Sequence, residues 1–463
     1  MLRFSSLFLA GALYATVAQA RYVFYYDQYH TNIPNNTVNA GIDHVITAFA
    51  NSSLFTTSPA GEYVPFENIT SVRSHFDNNT KILIAIGGWA DNTGFSAGVA
   101  TESSRKLFAS NVAALLGKFG FDGVNMDWEY PGGNGADYRQ KPNSERKSEI
   151  DTYPMLLAEI RAAIGPNKLL TIATPGKVVD MIAYTPEKAP SIWKSVDWVN
   201  VMTYDLMNRR DNVTKHHTDV KASLEVVDYY INTLSLDPAK INLGFAMYAK
   251  WFTLDPSKPC ENGLNCTTVM SEDANGLDTG KSGATTFEAS NYAKPLGNMT
   301  ASVNGACGPK TSTFCATGMC CSSAGFCGNT DEYCNNCLGS AYGSGCNEIP
   351  ISAHFQMAVR DGLKDEQAGG AYYYDQANHL FWTFDTPELI ARKFTEIVDA
   401  RKLGGVMAWS LGEDSHDFSH VLALQKENAA RKNSSTSVNT TINAQHSWKT
   451  GNFRSTRLIK RIS

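Results

Sequence analysis

The chain of 463 residues reads as an α/β protein, a (β/α)8 TIM barrel interrupted late by a disulfide-rich insertion between strands 7 and 8. Three observations lead there. Short β-prone apolar runs alternate with helical patterns, one interval between runs is far too long for a simple connection, and most of the cysteines fall inside that interval.

The runs are YVFYYD from Tyr22, HVITAFA from His44, KILIAIGG from Lys81, FDGVNMD from Phe121, LLTIAT from Leu169, WVNVMTYD from Trp198, INLGFAMY from Ile241 and GGVMAWSL from Gly404. Their hydrophobicity is continuous rather than alternating, as expected of parallel strands covered by helices on one face and packed into a core on the other. The clearest intervening helix runs from about Ser104 to Phe119, with Phe108, Val112, Leu115, Leu116 and Phe119 on one stripe and Gly120 as its stop. Strands in this number and spacing predict a closed barrel with its active site at the strands' C-terminal ends. A doubly wound open sheet is the alternative, but Tyr25-Tyr26-Asp27-Gln28 after the first strand offers no glycine-rich phosphate loop.

Residues 21–250 and 404–425 are therefore expected to form the barrel and residues 251–403 the insertion. Within it Cys307, Cys315, Cys320, Cys321, Cys327, Cys334, Cys337 and Cys346 stand among Gly, Ser and Asn, the composition of a module too small to be held by core burial alone. Zinc at the Cys334/Cys337 pair is the competing reading. The even count and the adjacent Cys320-Cys321 pair favour bridges. Cys260 and Cys266 are expected to close a small loop of their own.

The opening MLRFSSLFLAGALYATVAQA has the basic start, apolar stretch and small-x-small ending of a secretory signal, which places the mature start at Arg21. Its apolar stretch is too short to span a membrane. Residues 426–463 turn polar with a basic ending, a tail not expected to pack and without a lipid-anchor signal. Asn-x-Ser/Thr sequons at Asn35, Asn51, Asn68, Asn78, Asn212, Asn265, Asn298, Asn433 and Asn439 suit a secreted, extracellular or cell-wall-associated glycoprotein. A net charge of −5 without an internal basic block argues against nucleic acid as a partner. The histidines form no H-E-x-x-H cluster, and His216-His217 reads as a loop pair, so no metal or other cofactor is implied. A monomer is the expected state.

The chemistry concentrates in FDGVNMDWEYP, Phe121 to Pro131. Strand alternation puts Asn125, Asp127 and Glu129 on one face and Val124, Met126 and Trp128 on the other. Two carboxyls buried side by side repel and lose solvation, so at least one should hold its proton near neutral pH, which is what a general acid needs. The competing reading is an acidic strand end that frays into solvent.

Asp122-Gly123-Val124-Asn125-Met126-Asp127-Trp128-Glu129 resembles the Asp-Gly-x-Asp-x-Asp-x-Glu signature of glycoside hydrolase family 18, the chitinases. IAIGGW from Ile84, Met202-Thr203-Tyr204-Asp205 and GGVMAW ending at Trp409 resemble that family's third, sixth and eighth strand motifs, in the right order. The resemblance implies a secreted enzyme that hydrolyses β-1,4 bonds between N-acetylglucosamine units, with retention, the substrate's own acetamide acting as nucleophile. That scheme differs from the two-carboxylate one of most glycosidases. Carried over by position, Glu129 is the general acid and then base, and Asp127 holds the acetamide and stabilises its developing positive charge. Tyr204 donates to the acetamido oxygen, Asp205 orients the same sugar, Trp409 forms the floor beneath it, and Asp122 and Asn125 support the signature. Tyr26, Phe49, Trp89, Tyr130, Met202, Tyr248, Trp251 and Trp382 are candidate subsite walls, ordinary packing being the competing role of each aromatic. Three positions depart from the pattern: Asn125 for its middle Asp, Ala85 for a Ser, and FAMYAK around Tyr248 where Pro, Gly and Arg are usual. Reduced activity or a shifted pH dependence is expected from Asn125. A catalytically weak or inactive chitin-binding lectin on the same barrel is the alternative function, and an endo-N-acetylglucosaminidase a third.

The cysteine module, 307–346, resembles a hevein-type chitin-binding domain through Cys320-Cys321-Ser322 and Gly325-Phe326-Cys327-Gly328. That resemblance implies pairing of Cys307 with Cys321, Cys315 with Cys327, Cys320 with Cys334 and Cys337 with Cys346. It also implies sugar contacts from Ser322, Phe326 and Tyr333, with Ala324 standing where another aromatic is usual.

Overall fold

The structure is a computed structural model, and it describes residues 20–288, 298–308, 311–322, 324–334, 337–338, 342–345 and 351–432. Most of the expected signal segment, Cys346, and the tail with its sequons at Asn433 and Asn439 lie outside the described residues.

Each of the apolar runs contains a strand of one closed parallel barrel: β1 (Arg21–Asp27), β2 (His44–Ala50), β3 (Lys81–Gly87), β4 (Gly123–Asp127), β5 (Leu169–Thr174), β6 (Trp198–Val201), β7 (Ile241–Ala246) and β17 (Gly405–Trp409), β17 closing between β7 and β1. Residues of alternate parity face opposite layers. Tyr22, Phe24 and Tyr26 pack outward under the helices with Val124, Met126 and Trp128, while Val23, Tyr25, Leu83, Ala85 and Met407 fill the barrel interior. The helix Glu102–Phe119 is typical of the outer layer: Thr101 caps its start, Phe108, Val112, Leu115 and Leu116 are buried, and Gly120 ends it in the left-handed region at φ 74°. Among the described residues no helix is long and apolar enough to cross a membrane.

The long excursion between β7 and β17 holds more than the cysteines. The strands β8 (Tyr248–Thr253), β9 (Ser282–Thr286), β14 (Leu363–Asp365), β15 (Gly370–Asp375) and β16 (Leu380–Phe384) form an antiparallel sheet in the order β14-β15-β16-β8-β9, while the short pairs β10 (Thr300–Ala301) with β11 (Thr313–Phe314) and β12 (Cys320–Cys321) with β13 (Cys327–Gly328) lie around the cysteines. Helix Ile351–Asp361 packs on it through Phe355 and Ala358. Trp382 is fully buried in this layer, with Trp251 half-buried beside it at a centroid distance of 6.3 Å. The excursion ends before the expected residue 403, because Ile390, Phe394 and Ile397 of the helical segment after Thr386 belong to the barrel's outer core. At the C-terminal end, too, the expected boundary at 425 is overrun. Residues 419–432 are helical, Asn428 is buried, and Lys432 Nζ reaches Asp43 at 2.9 Å.

Disulfides join Cys260–Cys266, Cys307–Cys321, Cys315–Cys327 and Cys320–Cys334. The expected partner of Cys337, Cys346, is outside the described residues. The cysteines themselves are much of the module's interior, with Cys307, Cys315 and Cys321 buried around Tyr342 and Cys320 and Cys337 buried beside Tyr333.

Candidate active site

A cavity of about 750 Å³ opens at the C-terminal ends of the barrel strands. Asp127, Glu129, Tyr204, Asp205, Phe49, Trp89, Tyr130, Met202, Tyr248 and Trp409 all line it. Non-proline cis peptide bonds follow Ala48, Glu129 and Trp409, all at strand ends that border this cleft.

Asp127 ends β4 and is buried, and its Oδ1 has no hydrogen-bond partner among the described residues. Loss of solvation pushes its pKa up to about 7. Glu129 is half-buried two positions on. Burial first and the Asp127 charge second, with smaller pushes from Asp205 and Asp180, hold the Glu129 carboxyl well above the usual carboxylate range. Like charges that cannot all ionise together keep a proton in this site near neutral pH.

Tyr204 is buried against the interior, its hydroxyl 3.9 Å from Met407 Sδ, and burial keeps the phenol protonated as a donor. Asp205 sits in the left-handed region at φ 55°, a conformation Asp tolerates better than most residues. Its Oδ1 accepts from Tyr248 Oη at 2.9 Å and lies 3.0 Å from Lys250 Nζ and 3.8 Å from His217 Nδ1. Burial opposes ionisation there, but Lys250 and His217 outweigh it, so Asp205 stays below the usual carboxylate range. The cleft thus holds one carboxylate fixed as an anion and a pair that retains a proton.

Trp409 forms an aromatic floor, Phe49 stacked on it at 5.4 Å and Tyr25 tilted at 5.3 Å. Trp89 stands 41% exposed at the cleft wall, with the Arg210 guanidinium 5.4 Å from its ring and 3.9 Å from that of Tyr138.

Below the cleft Asn125 is fully buried; its Oδ1 accepts from Thr171 Oγ1 at 2.8 Å and Asn200 Nδ2 at 3.2 Å. Asn200 Oδ1 accepts from Asn242 Nδ2 at 2.9 Å, and Asn242 Oδ1 from Arg21 Nε at 3.0 Å. A column of neutral amides therefore runs from the site down the barrel interior. The methyl of Ala85 occupies the β3 position in register with Asn125, so no hydroxyl is offered from that strand.

Four sequence expectations are corrected. Tyr26 lies outside the barrel wall, its hydroxyl donating to Glu67 Oε2 at 2.7 Å, and Tyr25 is the residue that reaches the cleft. Asp122 precedes β4 at the opposite end of the barrel, where it accepts from Ile82 N at 2.9 Å and Arg73 Nη2 at 2.8 Å; it latches strand to strand and is remote from the chemistry. Trp251 and Trp382 line no part of the cavity, being side chains of the antiparallel sheet's core. Sequence reasoning also missed Lys250, His217, Arg210 and Asp180. Lys250 alone carried a signal, as the cation where the family pattern has Arg.

In the cysteine module Phe326 is 56% exposed, while Ser322 is buried and its Oγ accepts from Phe326 N at 3.3 Å. The Tyr333 ring lies flat over Gly328, where a Cβ would meet it at 2.3 Å. Cys307, Cys315 and Cys327 approach one another closely enough to suggest a metal triad, but all three are consumed in disulfides.

Residues 21–414 match the family model described as glycosyl hydrolases family 18. Chitinase A1 of Niallia circulans is 32% identical over 193 residues, 40% of this chain and 26% of that protein. Chitinase B of Serratia marcescens is 24% identical over 388 residues, 77% of this chain and 69% of that protein. The chain thus spans well under two thirds of the length of the first of these relatives. A catalytic domain of an Ostrinia furnacalis group II chitinase shares the fold at a TM-score of 0.61 and 20% identity, covering 89% of this chain and 97% of that one. With a matching model over most of its length and the signature carboxyls gathered in one cleft, the chain belongs to glycosyl hydrolases family 18.

Proposed function

We propose that the protein is a secreted chitinase that cleaves β-1,4 bonds between N-acetylglucosamine units by substrate-assisted, retaining catalysis. The observation that carries this reading is the convergence of Asp127, Glu129 and Tyr204 on one cleft, with Glu129 held well above the ordinary carboxylate range. A protonated Glu129 can give its proton to the glycosidic oxygen as the bond breaks. Asp127, once ionised, stabilises the positive charge that develops as the acetamide oxygen attacks C1, and the Tyr204 hydroxyl orients that oxygen. These interactions strengthen as charge develops, which is where binding energy lowers the barrier. Glu129 then takes a proton from the water that opens the oxazolinium intermediate. Trp409 offers a sugar ring its apolar face, and Asp205, fixed as an anion, accepts from hydroxyls or the acetamide N–H.

The cysteine module is proposed as a hevein-like chitin-binding unit in which the exposed Phe326 ring and Tyr333 carry the contact. The deciding experiment compares the protein with its Glu129→Gln variant on soluble N-acetylglucosamine oligomers and insoluble chitin, reading products and pull-down together. Hydrolysis lost in the variant with binding kept supports the enzyme. Equal binding with no turnover in either protein would establish the lectin instead.

A further inference from the structure

We propose that Asp27, His30 and Glu413 form a charged clamp that positions the Trp409 floor of the cleft by tying the end of β1 to the turn after β17. None of the three stands in a signature position or lines the cavity, yet their neighbours on both sides do. Gln28 and Tyr29 line the cleft from one arm of the clamp and Trp409 from the other.

Asp27 is fully buried. Its Oδ1 accepts from Tyr29 N at 2.8 Å, from His30 N at 3.1 Å and from His30 Nδ1 at 3.0 Å. Its Oδ2 accepts from the Ser410 hydroxyl, and Ser410 is bonded directly to Trp409. Glu413, also buried, closes the other side: Oε2 accepts from Ser410 N at 3.1 Å, and Oε1 lies 3.3 Å from His30 Nδ1. The backbones interlock as well, since a Cβ on Gly412 would fall 1.8 Å from His30 O.

Two buried carboxyls facing one imidazole require a positive charge between them. Burial draws the His30 pKa down, but the bond from Asp27 and the charges of Glu413, Asp27 and Glu288 outweigh it and bring it to about 9. Burial raises Glu413 to about 8. The cluster holds an Asp27⁻–His30⁺ pair beneath the Glu413 carboxyl in the wall of the cleft, with His30 partly exposed. Ser410 links the cluster to the floor directly, its hydroxyl donating to Asp27 and its N–H to Glu413.

His30 is therefore a positioning residue, and the inference rests on the reading of the cleft as a chitin site. The test uses initial rates on a short N-acetylglucosamine oligomer for the full protein, His30→Gly with and without added imidazole, Ser410→Ala and Trp409→Ala. His30→Gly is expected to raise KM roughly ten-fold with a smaller fall in kcat, because a floor that shifts loses ground-state contact with the ring. Imidazole should restore most of the loss in His30→Gly and none in Trp409→Ala, and Ser410→Ala, a smaller lesion, should raise KM in the same direction. A loss confined to kcat, or wild-type KM in Ser410→Ala together with no imidazole rescue, overturns the clamp. Acrylamide quenching of Trp409, taken as the difference from matched Trp409→Phe proteins, separates this inference from the function. Quenching that rises in His30→Gly supports the clamp even if the wild type binds no oligomer, and unchanged quenching refutes it whatever the activity.

Discussion

Replacing Asp127 with Asn should make the fold more stable at neutral and alkaline pH and leave acid stability nearly unchanged, apart from a constant offset. The structure supplies the magnitude. Burial raises the Asp127 pKa from 3.8 to about 7, roughly three pH units, and one unit corresponds to about 1.4 kcal/mol. Below pH 4 both folded and unfolded chains carry the proton, so the residue contributes no pH dependence. Between pH 4 and pH 7 the unfolded chain releases the proton while the folded one keeps it, and stability falls as pH rises. Above pH 7 both are ionised and the cost levels off at up to about 4 kcal/mol. An amide does not titrate and also removes the charge that pushes Glu129 up, so urea midpoints of the two proteins should diverge from pH 4 upward and keep separating past pH 7. The constant offset comes from the buried N–H of the new amide, which explains why the slope of the difference is the quantity to read. A difference that does not vary with pH, or one that widens toward acid, would refute the claim that Asp127 is held protonated by burial.

Asn125→Asp adds a third carboxyl to the face that already carries Asp127 and Glu129, and a proton shared with Asp127 stabilises the singly ionised pair. The acid limb of kcat/KM on a soluble oligomer should therefore move down by about one pH unit, and an acid limb that stays or rises would contradict the role given to the neutral amide column. Phe326→Ala removes the most exposed ring of the cysteine module. Binding to insoluble chitin should weaken by about 1 kcal/mol, several-fold in affinity, with turnover of short oligomers much less affected, and a parallel loss on both substrates would separate the module from polymer binding.

The barrel was legible because parallel strands leave continuous apolar runs, and each of those runs supplied a strand. The antiparallel sheet of the excursion was not. Its strands are short and mixed in character, and its core aromatics, Trp251 and Trp382, look on paper like sugar platforms. Only burial distinguishes a tryptophan that fills a core from one that lines a groove. The helical segment after Thr386 was hidden for a related reason: its partners, Val226 and Val227 among them, lie far back in the chain, and nothing local marks it as part of the barrel.

The site itself divides along the same line. Positions tied to one strand were placed well by alternation, since Asp127 and Glu129 must follow Asn125 onto one face. The same alternation could not choose between Tyr25 and Tyr26, because β1 is apolar on both faces and its parity is set by the strands beside it. Residues that act across strands were invisible altogether. Lys250 fixes Asp205 from another element, and His30 reaches Glu413 across the seam where β1 meets β17. The His30–Glu413 pair arises from barrel closure, which brings the first strand of the chain against the last. Seam contacts of this kind are where the ends of the chain are coupled to the chemistry, and the pairing of Trp409 with Tyr25 across the same seam makes the sugar floor depend on closure as directly as it depends on its own residue type.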